Sequence, residues 1–136
     1  MAATFEVRVL TAAQTALEAE VVHLQAPGQE GFLGILAHHA PLITALQPGP
    51  LRLDRADGTR EVFAVSGGFL EVSGNRAVVL ADALERPEEI DLERAEAAKQ
   101  RAEKRLAARA REIDVPRAEA ALHRAVNRIQ LARGGQ

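Results

Sequence analysis

The residue grammar of the chain changes at Pro87, and that break constrains the fold more than any other feature. Before it, glycines and β-branched residues punctuate short alternating runs. After it Ala, Glu, Arg and Lys dominate, and no glycine occurs until Gly134. A length of 136 residues allows one domain, or one small domain with an appendage. The expected division is residues 1–86 and residues 87–136.

The first half reads as strands. Phe5, Val7 and Val9 alternate with Glu6 and Arg8, the period of a half-buried strand. Val22 and Leu24 continue the pattern in the next run, which ends at Pro27-Gly28. Leu51 and Leu53 flank Arg52, and Asp57-Gly58 then leads into Val62 to Val65, a hairpin signal. A second hairpin runs from Phe69 to Ser73, turns at Gly74-Asn75 and returns from Arg76 to Asp82. Many short strands without an intervening helix predict an antiparallel sandwich or barrel.

The second half reads as two helices. Asp91 is the expected N-cap of the first, within an acidic cluster suited to the positive end of a helix dipole. Ala95, Ala98, Ala102 and Leu106 recur at spacings of three and four. Ile113-Asp114-Val115-Pro116 interrupts the pattern with a capping Asp and a Pro fit for a first turn. Ala118, Ala121, Leu122, Ala125 and Ile129 form the second stripe, and Gly134-Gly135 ends it. The fold class expected is therefore α+β, an N-terminal antiparallel β-sandwich followed by a C-terminal two-helix antiparallel hairpin. Alanine stripes bury little, at about 0.8 kcal/mol per methylene, although the helix propensity of these residues is high. Such helices persist while their mutual packing stays marginal, so folded and opened arms differ by a gap a ligand can bias.

Charge separates the halves too. Residues 1–86 carry 6 basic and 10 acidic side chains, residues 87–136 carry 11 and 9. From Arg101 to Arg133 nine basic residues face only four acids. Any one of these arginines is explained by a solvated helix surface; the cluster points to an acidic partner or an anionic ligand. A net charge of -2, with 3% aromatic residues, argues against nucleic-acid binding. The absence of cysteine excludes disulfides, thiolate metal sites and cysteine nucleophiles. The start of the chain has no apolar signal core, and no run approaches the roughly 18 apolar residues of a membrane helix. A soluble protein of a reducing compartment, without membrane insertion, is expected.

Catalytic chemistry is not evident. There is no phosphate-binding Gly-rich loop, dinucleotide fingerprint or nucleophile elbow. The histidines are His23, His38, His39 and His123, with no metal-ligand spacing. His39, beside Pro41 in an expected loop, lacks the partnered nucleophile that a small hydrolase would need. No catalytic residue and no metal site are predicted.

Three stretches resemble the ε subunit of the F-type ATP synthase. Gly31-Phe32-Leu33-Gly34-Ile35-Leu36, continuing to His39-Ala40-Pro41-Leu42, resembles its loop-and-strand signature. Val65-Ser66-Gly67-Gly68-Phe69-Leu70-Glu71-Val72 is similar to the strand pair that follows. Ile90-Asp91-Leu92-Glu93-Arg94-Ala95 matches the pattern that opens its helical arm. One departure is visible: Ala37-His38 stands where many members have Pro-Gly, so a differently shaped turn is expected there.

The resemblance implies a non-catalytic subunit of the central rotor stalk of a proton-translocating synthase. Residues 1–86 would form a ten-stranded sandwich contacting the γ subunit and the c-subunit ring. Residues 87–136 would form a regulatory arm that extends into the catalytic α/β head and inhibits ATP hydrolysis. The arm contacts implied are Arg101, Lys104, Arg105, Arg109, Arg111 and Arg117. No cofactor is required, but ATP is implied as a regulatory ligand at Glu85, Ile90, Asp91, Arg94, Ala95, Arg124 and Arg128. A monomer is expected in isolation, and in the complex a peripheral place on the cytoplasmic face of a bacterial membrane or the stromal face of a thylakoid. The alternative is a free-standing ATP-binding regulatory module outside the synthase.

Overall fold

The computed structural model describes residues 2–108 and 114–134. The chain separates into two compact units, 1–85 and 86–136. The first unit holds ten strands: β1 (Phe5–Leu10), β2 (Thr15–Val21), β3 (His23–Gly28), β4 (Gly31–Leu36), β5 (Leu42–Leu46), β6 (Gly49–Asp54), β7 (Arg60–Val65), β8 (Gly68–Ser73), β9 (Arg76–Ala81) and β10 (Leu84–Glu85). They pair in the order β10-β7-β6-β3-β5-β8-β9-β1-β2, with β4 on β3. β3 is the corner of this ladder. His23, Leu24 and Gln25 pair with β6, whereas Gly28 pairs with Leu46 of β5, so one strand carries the sheet from one layer to the other. The apolar faces enclose one core that includes Val7, Val9, Leu24, Leu51, Leu53, Leu70 and Val79, all fully buried.

Period-two alternation predicts most of this core. In β1 and β6 alternate residues are buried, and the intervening ones are half-exposed. Two expectations need correction. The sheet is not wholly antiparallel, because β1 lies parallel to β9 and antiparallel to β2. The two strands are distant in sequence, so no tight turn fixes their direction. Val22 is not an inward residue in register with Leu24. It occupies the bend between β2 and β3, and Val21 is buried instead, because the bend shifts the alternation by one residue.

Two turns carry backbone demands. Gly67 and Gly68, ahead of β8, have φ of +116° and +137°. A Cβ on Gly68 would lie 2.0 Å from the Leu80 carbonyl oxygen, so only glycine lets β8 approach β9 there. The Ser-Gly-Gly-Phe segment is thus a packing requirement. At Gly74-Asn75 both residues have positive φ, as a two-residue primed hairpin turn needs. Asn75 then acts as a junction: its side chain accepts from the His38 N–H at 2.8 Å and donates to the Thr4 carbonyl at 3.0 Å. His38 itself has φ +62°. A bulky residue thus holds the left-handed conformation at the position where the sequence departs from Pro-Gly, with Asn75 fixing it.

On the polar face, Asp54 joins three strands. It accepts from Arg60 Nε at 2.7 Å and lies 3.2 Å from His23 Nδ1 and 3.7 Å from Arg52 Nε. Burial pushes its carboxyl up, but the Arg60 hydrogen bond and charge, the Arg52 charge and the His23 hydrogen bond together hold it below the usual range.

The second unit begins with a 3-10 turn, Pro87–Glu89, followed by α1 (Leu92–Ala108) and α2 (Val115–Ala132). Asp114 caps α2, accepting from the Arg117 N–H at 3.0 Å, with Pro116 in the first turn as expected. Ile113 lies outside the described residues. Ala95 and Ala102 of α1 and Ala118, Ala125 and Ile129 of α2 are buried; Ala98, Leu106, Ala121 and Leu122 are half-buried. Asn127 and Leu131, on the opposite face of α2, are buried as well.

Replacing His38 with Gly should remove left-handed strain and raise stability by about 0.5–1 kcal/mol, read as a melting temperature about 2–6 °C higher. Asp54→Asn should cost about 1 kcal/mol at neutral pH. Because the folded carboxyl titrates below its unfolded value, its contribution is complete above about pH 4 and is lost as pH falls through the folded value. Chemical denaturation at pH 7 and pH 3 should therefore separate wild type from variant more at pH 7 than at pH 3.

Candidate functional site

The residues expected to take an anion divide between the two units. Glu85 ends the sandwich unit on β10, half-buried. Ile90, Asp91, Arg94, Ala95, Arg124 and Arg128 belong to the helical unit. Ile90 is buried, and its N–H is spent on the Pro87 carbonyl at 3.2 Å. Asp91 is the N-cap of α1: its Oδ1 accepts from the Arg94 N–H at 3.1 Å and its carbonyl from the Ala95 N–H at 3.0 Å. Ala95 is fully buried in the helix seam. This short segment therefore builds the start of α1 and aims Arg94, which is exposed.

The two helices are antiparallel. Arg133 at the end of α2 pairs with Glu96 near the start of α1, and a shallow groove of about 420 Å³ is lined by Glu96, Lys99, Gln100, Glu103, Ile129 and Arg133. These contacts set residues of α1 and α2 level in pairs, Arg101 with Arg128 and Arg105 with Arg124. At about 100° per residue, Glu96, Glu103 and Arg133 fall on one side of the alanine seam. Arg94, Arg101 and Arg105 fall roughly 80–120° to the other side. Arg117, Arg124 and Arg128 have the same offsets from the stripe of α2. Equal offsets on two antiparallel right-handed helices lie on the same side of their common seam. The hairpin therefore carries six arginines on one face, and among the described residues of the two helices no carboxylate has that phase. Five of the six are exposed and Arg128 is half-buried.

Arg124 and Arg128 are thus brought together, whereas Arg94 stands at the open end of the hairpin, about 10 Å along the axis from Arg128. Of the residues expected to contact a protein partner, Arg101, Arg105 and Arg117 share the arginine face. Lys104 points away from the seam, and Arg109 and Arg111 lie outside the described residues. The spacing is a signal in the sequence: arginines recur at seven and then four residues in both helices, 94-101-105 and 117-124-128. Without the register, nothing says that the two rows face the same way. The Glu96–Arg133 pair has no local signal at all, because its members are 37 residues apart.

His39 is exposed in its loop, with Nδ1 2.7 Å from the carbonyl of Ala40. No cluster of three His, Cys, Asp or Glu residues suited to a metal exists among the described residues. No helix among them is long and apolar enough to cross a membrane.

Residues 4–87 match the family described as ATP synthase, Delta/Epsilon chain, beta-sandwich domain, and residues 88–133 match its long alpha-helix domain. The chain belongs to the ATP synthase delta/epsilon family. It is 52% identical over 132 residues to the ATP synthase epsilon chain of Desulforamulus reducens, covering 97% of this chain and 99% of that one. The epsilon chain of Carboxydothermus hydrogenoformans is 52% identical over 109 residues, 80% of this chain and 81% of that one. Among solved structures, a chain of the Euglena gracilis mitochondrial ATP synthase shares the fold with a TM-score of 0.83 at 22% identity, covering 93% of this chain and 80% of that one. A chain of the Tetrahymena thermophila mitochondrial central stalk and c-ring superposes with a TM-score of 0.60 at 18% identity, over 98% and 96%. As a delta/epsilon family member the protein is an epsilon-type subunit of ATP synthase. A match that spans the whole length of such subunits does not favour a free-standing module outside the synthase.

The cap makes one site residue testable apart from ligand. Asp91→Ala should destabilise the start of α1 by about 1 kcal/mol, seen as faster amide exchange over residues 92–96, with the sandwich unaffected. Unchanged exchange there would remove Asp91 from the cap.

Proposed function

We propose that this delta/epsilon family member is a non-catalytic rotor subunit of the central stalk that couples proton flow to ATP synthesis, and that its arm restrains ATP hydrolysis and senses ATP. In this reading the sandwich grips the γ subunit and the c-subunit ring, on the cytoplasmic face of a bacterial membrane. The observation that supports an active arm is the arginine face on a hairpin held largely by alanine. A surface of one sign attracts an acidic segment of the catalytic head, and weak packing between the helices lets the arm change shape at small cost.

ATP would oppose that change. Guanidinium forks of Arg94, Arg124 and Arg128 suit phosphates, and the Asp91 carboxylate is an acceptor for the adenine amino group. A ligand touching both helices stabilises the closed hairpin. At a concentration a hundred times its dissociation constant it would bias the equilibrium by about 2.7 kcal/mol. That is enough to shift a pair of states a few kcal/mol apart.

Removing residues 88–136 tests the brake. The sandwich has its own core, so the truncated chain should still join the reconstituted complex, and ATP hydrolysis should rise several-fold. Assembly with unchanged hydrolysis would leave the coupling role and eliminate the brake.

A further inference from the structure

We infer that Asp57-Gly58, in the turn between β6 and β7, is an isomerisation site that the fold holds shut through Thr59 and the Arg55 carbonyl. It is the one place in the chain where an Asp or Asn precedes glycine. Glycine puts no side chain beside the nitrogen that attacks, so this pair is intrinsically reactive. The reaction closes a five-membered imide: the lone pair of the Gly58 amide nitrogen forms a bond to Asp57 Cγ. The Cγ–OH bond of the carboxyl breaks, and the hydroxyl leaves as water with the amide proton. A second water opens the ring at either carbonyl. One opening restores Asp; the other leaves isoaspartate, in which the backbone runs through Cγ. Neither step oxidises or reduces anything. Asp57, Gly58 and Thr59 are exposed, so water reaches the site, and nothing stands within 4 Å of where a Gly58 side chain would begin.

The turn opposes both proton requirements of ring closure. The Gly58 N–H, whose proton must be lost, donates to the Arg55 carbonyl at 3.1 Å. The carboxyl must be protonated to release its hydroxyl as water, yet the turn favours the carboxylate. Asp57 Oδ1 accepts from the Thr59 hydroxyl at 2.6 Å and from the Thr59 N–H at 2.9 Å. The hydroxyl bond first, then the N–H bond and the Arg55 charge, hold the carboxyl below its usual range. The Arg55 N–H completes the turn by donating to the Thr59 carbonyl at 2.9 Å, and the Arg55 guanidinium is tied to Glu61 at 2.8 Å. Gly58 cannot simply be exchanged for a safer residue, because its φ is +89°. The glycine that shapes the turn thus makes it reactive, and Thr59 compensates. Isoaspartate would add one backbone atom to a connection whose length sets the β6–β7 register, right beside the pair Asp54 and Arg60.

The full chain should be aged at physiological temperature and pH, both folded and unfolded in guanidinium chloride, with isoaspartate at position 57 followed by peptide mapping. The variants are T59V, T59S and D57E, the last having a carboxyl one methylene too long for the five-membered ring. Unfolded wild type should accumulate isoaspartate about tenfold faster than folded wild type, or more. Folded T59V, which loses the hydroxyl, should age about three- to tenfold faster than folded wild type. T59S keeps the hydroxyl and should stay within about twofold of wild type, and D57E should give no isoaspartate at that position. Circular dichroism checks that each variant is folded, and T59A takes the place of T59V, with the same expectation, if T59V is not. Equal rates in folded and unfolded wild type would overturn the inference, as would no isoaspartate in the unfolded chain. A folded hydroxyl-free variant that ages no faster than wild type, or T59S that ages as fast as T59V, would remove the Thr59 hydroxyl from the role.

Discussion

Ala95, Ala102, Ala118 and Ala125 are buried at the contact between α1 and α2, and their small size controls what the rest of the arm can do. Small side chains allow a close approach of two helices, and closeness brings the arginine rows of α1 and α2 near each other. The same small side chains contribute little apolar burial, since each offers only a methyl group where leucine would offer four carbons. Closeness and weak adhesion have a single cause. Ile129, buried on the α2 side, and the Glu96–Arg133 pair add adhesion near the open end. Both helices also have capped starts, Asp91 and Asp114, so their helical state does not depend on the seam alone.

The sandwich is built on the opposite principle. Its ladders tie together residues far apart in the chain, as β1 with β9 and β3 with β6, and its core is filled by branched residues. Where the backbone must adopt an unusual conformation, the surroundings enforce it: the Leu80 carbonyl leaves no room for a side chain at Gly68, and Asn75 anchors His38. Such a unit has one shape. The hairpin, by contrast, is joined mainly along a seam of alanines.

The strands and helices were legible because period two and period 3.6 are local properties of sequence. Both glycine-containing hairpins, the Asp91 and Asp114 caps and the alanine stripes are where the spacing predicts them. The bend at Val22 was not legible, because a one-residue shift between β2 and β3 is decided by how the two strands pack across the core. The parallel direction of β1 against β9 has the same origin. At the arm, the residue types for anion binding stood in the sequence, yet their grouping did not. Arg101 and Arg105 look like a solvated row until the register sets them opposite Arg128 and Arg124. Asn127 and Leu131 give no stripe at all; their burial marks a second covered face that an amphipathic reading of α2 does not contain.

Among the described residues, the arginines assigned separately to nucleotide and to protein partner stand on one face, and that bears on how the arm could work. Arg101, Arg105 and Arg117 have the same phase as Arg94, Arg124 and Arg128, so two anionic partners would need the same guanidiniums. A polyanion bound on that face would compete with an acidic protein segment for the same charges. Parting the helices would separate Arg101 from Arg128 and Arg105 from Arg124, while each helix would keep its own row of three arginines. Under the proposed function, competition between two such partners would require no relay through the sandwich. It would follow from placing a single sign of charge on one side of a seam built mostly of alanine.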